Sequence, residues 1–115
     1  MKVPRADEKS KEFFSSILPN DPRITVRPMF GNISGFVNGN MFTGLLGDDL
    51  FVRLPEDKRK ELLNEKGAKL LEPMKGRPMK DYVVIPKVWL RQPAIVRAWV
   101  TRSLEWTIKL PRMKK

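Results

Sequence analysis

Apolar side chains recur along the first part of the chain at the spacing of a helix. Phe13, Phe14, Ile17 and Leu18 fall on one face of a helix drawn over about residues 5–18, opposite charged side chains. The prolines that follow cannot continue this helix, because proline has no amide N–H and clashes with the preceding turn. The pattern therefore predicts one amphipathic helix at the start of the chain.

Short runs after this helix alternate between apolar and polar residues, as half-buried strands do. We predict four strands, over residues 23–27, 33–37, 41–46 and 50–54. Asn38-Gly39 joins the second strand to the third, and both residue types accept the positive φ of a tight hairpin turn. Successive hairpins of this kind predict an antiparallel meander.

The rest of the chain predicts a second helix, two more strands and a long final helix. Pro55 suits the first position of the second helix, and Gly67 suits the position just after its end. The later elements are predicted over about residues 68–72 (strand), 81–85 (strand), 86–91 (helical turn) and 93–110 (helix). The order α-β-β-β-β-α-β-β-α predicts a single two-layer α+β domain over residues 1–115, with helices packed on one face of an antiparallel sheet.

Two residue types that carry much of enzyme chemistry do not occur in the chain, which has no His and no Cys. Ser-His-Asp and Cys-His arrangements cannot be built without them, and neither can the usual zinc sites. We therefore expect no enzyme activity, no metal and no cofactor. The alternative is an enzyme or small-molecule binder that uses Arg27, Tyr82 or a carboxylate.

Hydropathy predicts a protein outside the membrane. No apolar run approaches the roughly 20 residues needed to span a bilayer. The first residues, Met1 to Arg5, have no apolar core of a secretory signal. We expect a cytoplasmic location.

The charge of the chain is uneven. Its net charge is +10, and the whole excess lies in residues 66–115, which hold 13 basic and three acidic side chains. Such asymmetry favours a polyanion or an acidic partner surface, and the alternative is a solubility device. The candidate polyanion-binding residues are Lys75, Arg77 and Lys80 in a predicted loop, and Arg91, Arg102 and Lys109 on or before the final helix. The loop has a second interpretation as a plain hairpin connection, and residues 111–115 are expected to form a basic tail.

Apolar residues of the final helix fall in two places. Most of them share one face with Trp99 and predict the core side. Leu104 and Ile108 lie beside Arg97, away from that face, and we expect a partner-binding patch there. The alternative is a wider buried face. Trp89, before this helix, is a further candidate anchor for a partner, or it seals the end of the core.

The segment from Arg27 to Phe42 carries a resemblance to a known family. It contains Met29-Phe30-Gly31, a short strand and the Asn38-Gly39 turn, and it resembles the opening of the TfoX N-terminal domain family. The resemblance continues to about residue 107. Asn32 stands where the family has a second glycine, and we expect it to serve as a residue tolerant of a left-handed backbone.

The resemblance implies a two-layer fold like that of secretion chaperones and a link to regulators of natural competence. Met29-Phe30-Gly31 is a candidate for shaping a groove, but the favoured interpretation is that Phe30 packs in the core and Gly31 permits a turn or bulge. Taken together, these features lead us to expect a regulatory domain that binds protein. A second copy of the chain is one candidate partner, so this expectation includes homodimers. Direct nucleic-acid binding by the basic half, without sequence preference, is the alternative.

Overall fold

The computed structural model describes residues 5–29, 32–74 and 76–111. The helices there are α1 (Glu8–Ile17), α2 (Glu56–Leu63) and α3 (Pro93–Ile108), with a 3₁₀ helix (Lys87–Arg91) before α3. The strands are β1 (Thr25–Met29), β2 (Asn32–Val37), β3 (Asn40–Leu46), β4 (Asp49–Arg53), β5 (Lys69–Met74) and β6 (Arg77–Val84). The element order and the α+β class are as predicted.

The six strands form one antiparallel sheet in the order β1-β2-β3-β4-β6-β5. The first four strands make the predicted meander. The chain then passes through α2, forms the edge strand β5, and returns as β6 between β4 and β5. Both edge strands contain a proline, Pro28 in β1 and Pro73 in β5, which disfavours pairing with a further strand.

The structure confirms the predicted hairpin turn and corrects both predicted ends of α2. Asn38 and Gly39 have φ of 52° and 77°, so the predicted hairpin turn is confirmed. Pro55 is the N-cap of α2 and not its first helical residue. The helix also ends at Leu63, earlier than expected, so that Gly67, at φ 93°, belongs to the turn before β5.

The start of the sheet is also shifted from its prediction. β1 begins two residues later than expected, and its Val26 side chain is 43% exposed. The physical reason is position: β1 is an edge strand, and α3 packs mainly on β3 and β4.

The core lies between the helices and one face of the sheet. Residues of all three helices share one apolar cluster with Leu50, Val52 and Val83, which alternate along β4 and β6. The intervening residues, Phe51 and Tyr82 among them, point the other way into a smaller cluster that contains no helix residue. The predicted two-layer arrangement is therefore present, and no helix residue of the described chain belongs to the apolar cluster on the second face of the sheet.

Close packing on this second face depends on one glycine. A Cβ atom at Gly44 would lie 2.7 Å from Cζ of Phe51 and 2.6 Å from Oγ of Ser34. The missing side chain lets the Phe51 ring lie against the strand, where it meets Tyr82 edge-to-face with ring centroids 5.5 Å apart.

Candidate binding surfaces

The predicted contact patch on α3 is wrong for Leu104. This side chain is 5% exposed and belongs to the main core, and Ile108 is half-buried against the same core. The reason is the packing of the helix layer: α1 packs on α3, and both residues belong to or pack against the apolar cluster that contains Phe14 and Ile17 of α1. The alternative of a wider buried face is the correct one.

Arg97, the third member of that patch, has a structural contact. Its Nη2 atom donates a hydrogen bond to the backbone carbonyl of Ser16, 3.2 Å away, in the last turn of α1. Carbonyl groups at the end of a helix have no partner within the helix, and a cation is favourable there. Arg97 therefore ties α1 to α3.

Trp89 lies in a different environment, in the 3₁₀ helix at the other end of α3. It is half-buried, packs against the main core and lines a cavity of about 590 Å³. Its neighbour Val88 also lines this cavity and is 68% exposed, more than any other large apolar side chain in the described chain. We call this cavity and its rim the 3₁₀ cleft. Its remaining lining residues are Asp49, Glu65, Lys66, Gly67, Lys69, Val84, Ile85, Pro86 and Lys87.

Charged side chains also line the 3₁₀ cleft. Lys69 and Lys87 both pair with Asp49, at 3.5 and 3.6 Å, and Lys87 also pairs with Asp48 at 3.1 Å. These partners raise the pKa of Lys87, the hydrogen bond to Asp48 first among them. Lys66 makes no ion pair with a described residue, so it is the cation left available to a partner.

A second cavity, of about 410 Å³, adjoins the cleft on the open side of the sheet. Asp49, Lys69 and Val84 line both cavities. Further lining comes from apolar residues such as Leu46 and Leu71. The two cavities are thus neighbours at the end of the sheet near the 3₁₀ helix.

The predicted basic loop is largely a hairpin. Arg77 and Lys80 lie within β6, both are exposed, and neither makes an ion pair with a described residue. Lys75 lies outside the described residues. The hairpin interpretation is confirmed as structure, and it leaves two cations free on the strand.

Three other candidate cations lie around α3. Arg91, Arg102 and Lys109 are all exposed, as predicted. Arg102 stacks on the ring of Trp99, with Cζ 4.6 Å from the ring centroid. The structure therefore divides the predicted polyanion residues between β6 and α3.

The sequence interpretation missed a charged cluster at the end of β4. Arg53 and Arg59, from the neutral half of the chain, both pair with Asp81 of β6. We call these three residues the Asp81 cluster. The two cations of this cluster therefore lie outside positions 66–115, to which the charge excess is confined. No sequence motif marks this cluster, because its members are 22 and 28 residues from Asp81.

Tyr82, the candidate for an enzyme or small-molecule site, has a structural contact. Its hydroxyl donates to the carbonyl of Met41, 3.0 Å away, and burial raises the pKa of Tyr82. On the other face, Oγ of Ser103 donates to the carbonyl of Phe42 at 2.6 Å. These carbonyls belong to an irregular stretch of β3, where the register with β2 shifts. Both hydroxyls stabilise that stretch.

Residues 5–29, 32–74 and 76–111 include neither a cluster of metal-ligating side chains nor a membrane-spanning helix. No three acidic side chains there approach one another closely enough to hold a metal ion. Across the same residues, no helix combines the length and hydrophobicity needed to cross a bilayer.

The family motif is only partly described. Met29 ends β1, and Phe30 and Gly31 lie outside the described residues. Asn32 is in β2, and its backbone is not left-handed, which corrects the expected role. Its buried side chain instead joins two segments: Oδ1 accepts hydrogen bonds from the N–H groups of Ala6 (2.8 Å) and Gly47 (2.9 Å).

These features define a small α+β domain with a helix layer on one sheet face and indented, charged surfaces at the sheet ends. A family model for the TfoX N-terminal domain matches residues 12–106, and the chain therefore belongs to that family. A search of curated protein sequences found no match to the chain.

Proposed function

We propose that this domain is a non-enzymatic regulatory module that acts by binding another protein at the 3₁₀ cleft. The observation that carries the proposal is Val88, a valine that is 68% exposed beside a half-buried Trp89. Burial of such side chains on binding is favourable, and tryptophan is enriched at the centres of protein interfaces.

The cleft also suggests what the partner presents. Its apolar floor of Ile85, Pro86 and Trp89 suits a large apolar side chain. Lys66 at the rim is available to a carboxylate, because it has no ion pair of its own in the described chain. The partner would thus be a protein segment with an apolar anchor and a nearby acidic residue, in the setting of transcription or competence regulation that the family resemblance suggests.

The test is affinity purification of the tagged chain from its native cells, with and without nuclease. Val88→Ser should lose the bound protein, while Val26→Ser should retain it. Val26 is a matched control because it is another exposed valine, on β1 and outside the cleft. Urea unfolding of both variants checks that each one folds.

Two outcomes would contradict the proposal. Partner recovery unchanged by Val88→Ser would remove the cleft from the function. Loss of all partners on nuclease treatment would indicate that nucleic acid carries the association. If the recovered protein is a second copy of the chain and Val88→Ser no longer recovers it, the partner is the chain itself and the cleft is a homodimer interface.

Nucleic-acid binding is the second candidate, supported by Arg77 and Lys80 on β6, which are exposed and form no ion pair within the described chain. Each phosphate that a cation neutralises releases about one counterion, so binding would weaken steeply with salt. A gel-shift titration of Arg77→Gln/Lys80→Gln against wild type, at low and moderate salt, tests this candidate. The candidate is sunk if wild type gives no shift at low salt.

A further inference from the structure

We propose that the Asp81 cluster is a binding site for a phosphate oxyanion, a ligand outside the protein-binding function proposed above. Its three side chains come from β4, α2 and β6 and meet where β4 ends. None of them lines the 3₁₀ cleft, so the two surfaces can be tested separately.

The two guanidinium groups already converge on one oxyanion, the carboxylate of Asp81. Nη1 of Arg59 donates to Oδ1 at 3.0 Å, and Nη2 of Arg53 approaches Oδ2 at 3.5 Å. Each carboxylate oxygen therefore faces a different arginine. The long second distance shows that Asp81 engages the Arg53 donor only weakly, so that this donor is available to another acceptor.

Both arginines are held in place before any ligand arrives. Nη1 of Arg59 also donates to the backbone carbonyl of Leu54, at 3.1 Å. The Arg53 guanidinium lies over the Tyr82 ring, with Cζ 5.7 Å from the centroid. The side chains of Arg53 and Arg59 are 20% and 23% exposed, whereas that of Asp81 is 50% exposed. Because the cations are already ordered, a ligand would lose less conformational entropy on binding them.

The charge and the free donors of the cluster favour phosphate. Asp81 is the one carboxylate of the described chain that contacts either guanidinium, so two cations face one anion. Lys80, the residue before Asp81 in β6, makes no ion pair among the described residues and adds positive charge to this strand. Each guanidinium has several N–H donors, and these two use few of them. Phosphate has more charge and more acceptor oxygens than a carboxylate, and arginine binds it through paired hydrogen bonds.

The experiment titrates inorganic phosphate and pyrophosphate into the full chain at constant ionic strength, followed by NMR amide shifts. Shifts should centre on Arg53, Arg59 and Asp81. Arg53→Gln and Arg59→Gln should each weaken binding by about tenfold, as expected for loss of a charged hydrogen bond. Lys109→Gln, an exposed cation on α3, is the matched control and should bind as wild type.

The Asp81→Asn variant tests the proposal most directly, through the direction in which its affinity for phosphate changes. It removes the competing negative charge but keeps the side-chain size, so phosphate should bind more tightly than to wild type. A purely structural ion pair predicts no phosphate binding in either protein. Weaker binding by Asp81→Asn, or equal weakening by Lys109→Gln, would overturn the proposal, and this arm stands even if an arginine variant does not fold.

A further arm separates the sources of the phosphate. Binding of a short single-stranded oligonucleotide that is lost in Arg53→Gln indicates a nucleic-acid backbone, and binding of pyrophosphate alone indicates a free phosphate compound. Val88→Ser should bind phosphate like wild type, so failure of the protein-binding proposal and failure of this one are distinguishable.

Discussion

The C-terminal half of α3 and the 3₁₀ helix before it make similar use of large apolar residues beside cations, yet they end in opposite environments. Leu104 is buried, whereas Val88 is 68% exposed. The difference lies in the neighbours: α1 packs along α3, and Arg97 joins the two helices. The 3₁₀ helix borders the open end of the sheet and a cavity. An apolar side chain near a cation is thus evidence of a binding surface only where no other element covers it.

The largest expected effect tests this comparison directly. Leu104→Ala should lower the free energy of unfolding by about 2–5 kcal/mol, because it removes a buried side chain and leaves a cavity. Val88→Ala should change it by less than about 0.5 kcal/mol, as for an exposed position. Urea unfolding of both variants measures the difference. Equal effects would contradict the assignment of one region to the core and the other to the surface.

Asn32→Ala extends the comparison to a buried polar side chain that has hydrogen-bond partners within the chain. The change leaves the N–H groups of Ala6 and Gly47 without their buried acceptor. We expect a loss of about 2–4 kcal/mol, since each unsatisfied buried donor costs about 1–3 kcal/mol. The readout is the urea midpoint. Asn32→Asp, which keeps the acceptor oxygen, should recover part of the loss, and a wild-type midpoint in Asn32→Ala would refute the bridging role.

Tyr82→Phe tests whether hydrogen bonds within the chain also stabilise the sheet face that lies away from the helices. Loss of the hydrogen bond to the Met41 carbonyl should cost about 1 kcal/mol near neutral pH. Burial raises the pKa of Tyr82 above its ordinary value of 10.0, so the folded chain keeps the proton that the unfolded chain releases.

The pH dependence of Tyr82→Phe follows from that direction. The stabilising contribution of the protonated Tyr82 hydroxyl is complete below about pH 10, and it is lost as the pH rises through the raised pKa of Tyr82. Wild type should therefore lose stability more steeply than Tyr82→Phe above about pH 10. Unfolding measured at neutral and alkaline pH gives the two slopes, and parallel slopes would argue against a buried, protonated Tyr82.

Thr107→Val has the smallest expected effect and the opposite sign. Thr107 is fully buried in α3, and its Oγ1 atom has no hydrogen-bond partner among the residues that the structure describes. Replacing the hydroxyl by a methyl group should raise the free energy of unfolding by up to about 1 kcal/mol. Thr101→Val, on a half-buried position of the same helix, is the control and should have less effect. Destabilisation by Thr107→Val would mean that the hydroxyl has a role in the fold.

Most of the fold could be predicted because local signals were strong. The Asn38-Gly39 turn, the alternation in β4 and the helical spacing around Trp99 each depend on neighbours in sequence. Candidate surfaces were predicted less well. Trp89 was singled out with an open choice between anchor and core, and the structure shows that it contacts the core and lines the cleft at once. The Asp81 cluster was missed, because it joins residues of three elements that only the folded chain brings together.

The sequence by itself determined the element order, the hairpin turn and the location of the charge excess, since each follows from local backbone preferences or from composition. The tertiary structure alone decided which apolar residues stay exposed. It buried Leu104 in the core that α1 shares, left Val88 beside a cavity, and placed Arg53 and Arg59 on one carboxylate of β6. The physical reason is that burial and charge pairing depend on distances between elements, and periodicity along one element does not contain them.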